Sequence, residues 1–349
     1  MSLKPHAIAP AKVAIVGAGA IGLWIGVHLA RAGCTMSALA RGATLQALRS
    51  QGLRLVSGAE LPHQAAVQAS DRAEALGVQD LVVISVKAPA MHDIAAAIGP
   101  LIGPNTILLT AMNGVPWWFF EGFGGEQAGR PLQSIDPDGR IARAIPARQV
   151  MGAVVHASCS VPEPGLARHH FGNRLVLGEP AGGRSERLQA LVALLARAGF
   201  EAEASDCIQR DIWFKLWGNM TVNPISALTG ATTDLIMDDD LLRHAISGMM
   251  IEAREIGARI GAPITLDPED RHVVTRQLGR FKTSMLQDVE AGKALELDAL
   301  LTVVHELGLR TGVATPLIDA LLGLARLQAR IKGLYPWPAS TTGPRPGAA

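Results

Sequence analysis

Val13-Ala14-Ile15-Val16-Gly17-Ala18-Gly19-Ala20-Ile21-Gly22 is the stretch that decides how the front of this chain folds. Val13 to Val16 is a short, wholly apolar run, the mark of a strand buried on both faces. Gly17 to Gly22 then fits G-x-G-x-x-G. Ile21 to Ala32 reads as a helix, and Thr35 to Ala40 returns to a strand. Strand, glycine turn, helix and strand form the context in which this motif binds a dinucleotide. Gly17 permits the tight turn, Gly19 lets the backbone approach a pyrophosphate, and Gly22 allows the helix to pack closely on the strand. The helix N-terminus adds N–H groups without intrahelical partners and a positive dipole end. Gly17, Ala18, Gly19, Ala20, Ile21 and Gly22 are therefore the first candidate cofactor-binding residues.

The same stretch could be mistaken for a membrane span or a signal core, because Val13 to Ala30 holds no charged side chain between Lys12 and Arg31. Gly17, Gly19, Gly22 and Gly26 interrupt it in an order that the dinucleotide turn explains better. The expectation is a cytoplasmic protein with no membrane segment. Its 349 residues fit about two domains. Hydrophobic residues make up 48% and charged residues 18%, enough apolar material for a sizeable core. The 32 basic and 31 acidic side chains leave a formal charge of +1 without a basic block, which argues against a nucleic-acid partner. Cys34, Cys159 and Cys207 are odd in number and lack C-x-x-C spacing, so neither a disulfide framework nor a zinc site is expected. His169 and His170 are adjacent and would point to opposite faces of a strand, which makes them poor joint metal ligands. No metal is expected.

Beyond the glycine turn, the end of the second strand selects the cofactor. An Asp or Glu there would hold the ribose hydroxyl of NAD. This chain has Leu39-Ala40-Arg41-Gly42. Arg41 instead offers a guanidinium to the 2′-phosphate of NADP. Further apolar runs at Asp80–Val86 and Thr106–Thr110 extend a parallel sheet with crossover helices such as Met91–Ile98. Lys87 and Asn113 directly follow these two runs, at strand carboxyl ends where open α/β sheets bind ligands. Val150–Cys159, Leu166–Phe171 and Arg174–Glu179 read as three more strands, and Arg184–Ala198 as an amphipathic helix. The Gly/Pro-rich stretch Gly122–Arg140 reads as a surface loop or a flap near the substrate.

From about Ser205 the periodicity is helical almost to Lys332. Asp206, Asp267-Pro268 and Thr315-Pro316 are helix-start signals, and Gly292 is a helix-end signal. The fold class is thus α/β: an N-terminal Rossmann-type parallel sheet followed by an all-α C-terminal domain. The expected divisions are 1–205 for cofactor binding, 206–335 for substrate and catalysis, and 336–349 as a disordered tail. Within the helical half, Lys215, Asn219 and Asn223 are spaced i, i+4, i+8 and share one helix face. Their apolar surroundings call for buried partners or a wet pocket. Pro224 biases Asn223 away from helical geometry, so a kink or an end is expected there. Ser284 and Glu296, taken alone, carry no signal.

The motifs GAGAIG, VKA, MNG, MGAVVHAS, WFKLWGNMTVNPISALTG and TSMLQDVEAGKALELDAL, in this order and with these gaps, resemble the ketopantoate reductases (2-dehydropantoate 2-reductases) from roughly Lys12 to Pro336. The resemblance implies NADPH held by Gly17–Gly22, Arg41, Lys87, Asn113 and Ser158. It implies Lys215 as the catalytic lysine, with Asn219, Asn223 and Ser284 on the 2-keto acid substrate. Glu296 would contact the lysine and the nicotinamide side of the site. It also implies an active site between the two domains, a role in pantothenate biosynthesis, and room for a homodimer. Thr233 and Leu301-Thr302 depart from the family pattern, and Pro116-Trp117-Trp118-Phe119-Phe120 with the following loop looks like an insertion. Two other readings share the fold: a related NADP-dependent hydroxy-acid or opine-type dehydrogenase, and a non-catalytic NADP-binding sensor. Lys215 and Glu296 favour an enzyme, since sensing needs no proton donor.

Overall fold

The computed structural model describes residues 11–58 and 61–338. The lead-in Met1–Pro10 and residues 339–349, most of the tail read as disordered, lie outside the described residues. The described chain forms two compact units. One comprises residues up to Leu216 together with Ile256–Ile264, and the other comprises Trp217–Glu255 and the residues from Thr265 onward.

The first unit is built on one mixed sheet. β1 (Lys12–Val16) leads through the glycine turn into α1 (Ala20–Arg31), then β2 (Thr35–Leu39) and α2 (Gly42–Gln51). β3 (Leu53–Ser57), β4 (His63–Ala65) and β5 (Gln68–Ser70) follow, then β6 (Gln79–Ile84), α3 (Met91–Ala97), β7 (Ile102–Thr110) and α4 (Arg140–Ala144). β8 (Val150–Glu163), β9 (Leu166–Gly178), α5 (Glu186–Arg197) and β10 (Glu201–Ala204) complete it. The strand order is β4-β3-β9-β8-β7-β6-β1-β2-β5, with β10 also on β9. From β5 to β8 all pairings are parallel. This stretch has the doubly wound order, whose ligand crevice opens where β1 and β6 lie side by side and the chain turns to opposite directions. β8 and β9 form an antiparallel hairpin, and β3 and β4 pair antiparallel.

The sheet's strands and α1 bury Val13, Ile15, Leu23, Trp24 and Val27, and α5 turns Leu188, Leu191, Leu194 and Leu195 into the same core. Each such leucine contributes about 2 kcal/mol by leaving water. α5 starts as its sequence dictates, with the Ser185 hydroxyl accepting from the Leu188 N–H. The two runs read as separate strands, Leu166–Phe171 and Arg174–Glu179, are one strand, β9. Gly172 lies inside it at φ +78°, and a Cβ there would sit 2.5 Å from the His156 carbonyl oxygen. The glycine therefore marks an irregularity in the hairpin and not a strand end. Trp117, Trp118, Phe119 and Phe120 are buried, with Phe119 edge-on to Phe120 and Phe123. Gly152 leaves the space that the Trp118 ring fills, since a Cβ there would lie 2.5 Å from it. The aromatic run is packing. The loop after it is mostly exposed, anchored by the buried Leu132 and Asp136.

From α6 (Ile208–Thr229) onward every described element is helical: α7 (Thr233–Asp238), α8 (Asp240–Arg259), α9 (Pro268–Arg276), α10 (Ser284–Glu290), α11 (Val303–Thr311) and α12 (Pro316–Ile331). A π-helical turn, Asp298–Thr302, precedes α11. α6 continues past Pro224 to Thr229, so the helix does not end there. Pro224 costs one helical hydrogen bond and crowds the carbonyl four residues back, but the residues around it are buried, and packing outweighs the local penalty. Asp206 does not act as the cap it reads as, and Thr315 stands at the N-cap of α12 before Pro316 without a side-chain cap bond. Asp206 pairs with Arg184 (2.7 Å), and it is the Ser205 hydroxyl that accepts from the Cys207 N–H. The Thr315 hydroxyl donates to Asp319, while the Glu252 carboxylate accepts from the Leu317 and Ile318 N–H groups at the start of α12. Asp267 caps α9 as expected, and Gly292 follows α10 at φ +63°. No helix among the described residues is long and apolar enough to cross a membrane.

Candidate active site and cofactor cradle

The glycine turn leaves β1 with Gly17 at φ +97°, a conformation that side chains other than glycine rarely adopt. A Cβ on Gly17 would lie 2.7 Å from the Val86 backbone nitrogen. A Cβ on Gly22 would lie 2.2 Å from the Gly17 carbonyl oxygen and 2.5 Å from the Ser85 Oγ. Both glycines are thus required by the fold itself. Gly19 differs. It takes the N-cap position of α1 with φ −87°, and a Cβ there would meet nothing within 4 Å. The fold does not demand a glycine there. The open face in front of it, at the N-terminus of a twelve-residue helix, suits a phosphate group.

The turn is tied to the next strand. The Ser85 hydroxyl donates to the Gly17 carbonyl (2.8 Å), and the Ser85 N–H donates to Val16 (2.9 Å). Ser85 directly follows β6, and Lys87 stands two positions on, half-buried. The glycine turn and Lys87 therefore share the carboxyl edge of adjacent strands at the crevice. At the end of β2 no carboxylate stands at residues 39–42, and Arg41 is exposed at the N-cap position of α2. This donor set fits a dinucleotide with a phosphate on its ribose: an uncovered backbone turn, a lysine, and an arginine where NAD would need an acid.

A second cluster sits along the same edge. Asn113 follows β7, and Val155 lies in β8 just beyond Gly152, the partner of the last β7 residue. From α6, the half-buried Lys215 donates to Asn113 Oδ1 (2.8 Å) and to the Val155 carbonyl oxygen (2.7 Å). Two acceptors of fixed position hold the flexible lysine stem in one place. The Val155 carbonyl is a functional group that sequence reading missed, since a backbone acceptor leaves no mark in residue type. Ser85 was missed as well, although a small hydroxyl beside a glycine turn could have flagged it. Ser158 lies further along β8, half-buried, beside Cys159, whose thiol burial pushes up to about 12 and so keeps protonated.

In the second unit, Asn219 and Asn223 follow on α6 at the predicted helical spacing, Asn219 half-buried and Asn223 buried. Ser284 opens α10 and is exposed, with Thr283 as the cap that accepts from the Leu286 N–H. Glu296 is buried two residues before the π-turn. Thr233, where the family pattern has an amide, donates through its hydroxyl to the Gly279 carbonyl (2.7 Å) and is fully engaged in tying α7 to the stretch before α10. His92, Asp136 and Asp138 bring ligand-type atoms within 4.8 Å of one another. Asp136 accepts from the Ile141 and Ala142 N–H groups, and Asp138 pairs with Arg140.

A Rossmann-type sheet with a glycine cradle and a lysine presented at its carboxyl edge defines a nucleotide-dependent oxidoreductase architecture. Residues 13–182 match the family "Ketopantoate reductase PanE/ApbA", and residues 207–329 match "Ketopantoate reductase PanE/ApbA C terminal". The chain belongs to the ketopantoate reductase family of oxidoreductases. It is 44% identical over 325 residues to a 2-dehydropantoate 2-reductase of Mesorhizobium japonicum, covering 93% of this chain and 99% of that one. A crystal structure from Ralstonia solanacearum MolK2, itself provisionally assigned as a ketopantoate reductase, superposes with a TM-score of 0.89 at 56% identity, covering 94% of this chain and 100% of the other. A 2-dehydropantoate 2-reductase from Geobacter metallireducens GS-15 superposes with a TM-score of 0.79 at 28% identity, covering 91% and 99%.

Proposed function

We propose that the chain reduces 2-dehydropantoate, or a closely similar 2-keto acid, to the 2-hydroxy acid with NADPH, and that Lys215 is the general acid. The observation that carries this reading is the Lys215 ammonium pinned by Asn113 and Val155 at the carboxyl edge of the sheet. Gly17–Gly22, Arg41, Lys87, Asn113 and Ser158 would hold NADPH, which supplies the hydride equivalent when bound. Residues 1–205 would form the cofactor half, and residues 206–335 the substrate half.

The chain's own part follows from charge. Reduction of a ketone builds negative charge on its oxygen. A positioned ammonium stabilises that charge and hands over a proton. Asn113 and Val155 accept from Lys215, so they aim the ammonium without neutralising it. Asn219, Asn223 and Ser284 would take the substrate's carboxylate and hydroxyl, and Glu296 would orient the lysine. The family relationship to 2-dehydropantoate 2-reductases supports the choice of substrate.

The test follows absorbance of NADPH with 2-dehydropantoate and a panel of 2-keto acids, with and without amines, and compares NADH as donor. Lys215→Ala is expected to lower kcat by about 10²–10⁴-fold, the usual range for a general acid. Turnover only with an amine present would favour opine-type chemistry. No oxidation with any acid would favour a sensor. Unchanged kcat in Lys215→Ala would reject the assignment of the acid.

A further inference from the structure

The stretch around Glu296 is short, lies outside any regular helix, and must nevertheless place a buried carboxylate. Its supports come from the far end of the chain. α12 closes with Gly333 at φ +69°, where the Gly333 N–H donates to Arg330 (3.0 Å) and the Leu334 N–H donates to Ala329 (2.7 Å). This is the Schellman pattern, which turns the chain sharply off the helix and fixes its direction. The next residues are tied down as well. Arg330 donates to the Pro336 carbonyl (3.0 Å) and lies 5.5 Å from the Tyr335 ring centroid and 5.7 Å from that of Trp337.

This rigid exit reaches the Glu296 stretch on both sides. Before Glu296, the Leu295 N–H donates to the Leu334 carbonyl (3.0 Å). After it, the Tyr335 hydroxyl donates to Asp298 Oδ1 (2.6 Å). Asp298 is the first residue of the π-turn Asp298–Thr302. π-turns are rare and occur frequently at functional sites. Burial and the adjoining Asp298 carboxylate push the Tyr335 phenol up to about 12, so it stays a donor at any working pH.

We infer that Tyr335 is a positioning residue: with the Leu334 carbonyl it clamps the Leu295–Asp298 stretch and so sets where the Glu296 carboxylate is presented. The inference rests on the role of Glu296 under the proposed function. It adds that the end of the chain, remote in sequence from every family motif, tunes the site.

The test is a double-mutant cycle of Tyr335→Phe and Glu296→Gln, read by kcat for NADPH oxidation, together with hydrogen exchange of residues 295–302 in the cofactor-free chain. Tyr335→Phe is expected to lower kcat about tenfold in the wild-type background and to change it little once Glu296 is Gln, since coupled residues are non-additive. It is also expected to speed exchange of residues 295–302. Asp298→Asn, which keeps an acceptor, is expected to fall between wild type and Tyr335→Phe. An equal loss in both backgrounds, with Glu296→Gln itself impaired, would overturn the clamp while leaving the function intact. Unchanged exchange in Tyr335→Phe would overturn it too. An undiminished kcat in Glu296→Gln would remove the role of Glu296 and the clamp's purpose together.

Discussion

Two alanine substitutions three residues apart should separate what the glycine turn does for folding from what it does for binding. In Gly22→Ala the new methyl would lie 2.2 Å from the Gly17 carbonyl oxygen and 2.9 Å from Ile15 Cγ2. Backbone cannot step aside as a side-chain tip can, so α1 must shift on β1. Overpacking of this kind costs about 3 kcal/mol, which at about 2.1 cal/mol/K of unfolding entropy per residue lowers Tm by about 4 °C for a chain of 349 residues. In Gly19→Ala the methyl meets nothing within 4 Å, and φ is −87°, which alanine adopts freely. The slightly poorer cap and the stiffer unfolded chain offset each other to within about 0.5 kcal/mol. Its Tm should therefore move by less than about 2 °C. That methyl does stand where a pyrophosphate would approach. Loss of one charge-assisted N–H contact is worth about 1.5–3 kcal/mol, so NADPH affinity should fall at least about tenfold. Thermal unfolding and a fluorescence titration with NADPH measure the two quantities separately. Wild-type NADPH affinity in Gly19→Ala would refute the reading of this turn as a phosphate cradle.

Arg41→Glu should lower the kcat/KM ratio of NADPH to NADH by about tenfold or more, because one charge-assisted pair is replaced by repulsion; steady-state kinetics with both donors decide it. Asn113→Ala removes an acceptor from Lys215. Its kcat should fall about tenfold, less than in Lys215→Ala, because the Val155 carbonyl still holds the ammonium. His28 should make the fold acid-sensitive. Burial, the largest cause, lowers its pKa below the usual 6.5, while its Nδ1–H donates to the Ala198 carbonyl (2.9 Å). Above pH 6.5 both the folded and unfolded forms are neutral there and nothing is lost. As pH falls below 6.5 the unfolded chain takes up the proton first, so stability declines. Tm measured from pH 7.5 down to 5.5 should fall less steeply in His28→Gln than in wild type.

The fold was legible wherever burial writes itself into residue type. β1, β6 and β7 are apolar because both faces are covered, and α5 and α12 carry the helical stripe. β3, β4, β5, β10 and α2 were not seen. β4 and β5 are only three residues long, and β10 alternates Glu and Ala at the margin of the sheet. β3 has Arg54 as its second residue, which argues against a strand until its ion pair with Glu163 (2.7 Å) is known. Gly172 gave a false boundary because a bulge and a turn make the same demand for positive φ. In the site, Lys215, Asn113 and the glycines were readable because side-chain chemistry or backbone freedom requires those residues. Ser284 and Glu296 were visible only through the family resemblance, since a lone hydroxyl or carboxylate in a helical region is ordinary. Asp206 misled because a good cap residue can be recruited by a nearby arginine, whereas Thr315-Pro316 marked the start of α12 as read.

The Val155 carbonyl has a consequence for how such a site drifts over generations. Part of the lysine's tether belongs to the main chain and is present whatever side chain is encoded at 155. Point changes there can alter packing but cannot delete the tether. Asn113 has no such insurance, and neither has Lys215. Inheritance can therefore loosen this site one notch at a time from the asparagine side, leaving weakened intermediates rather than an abrupt loss.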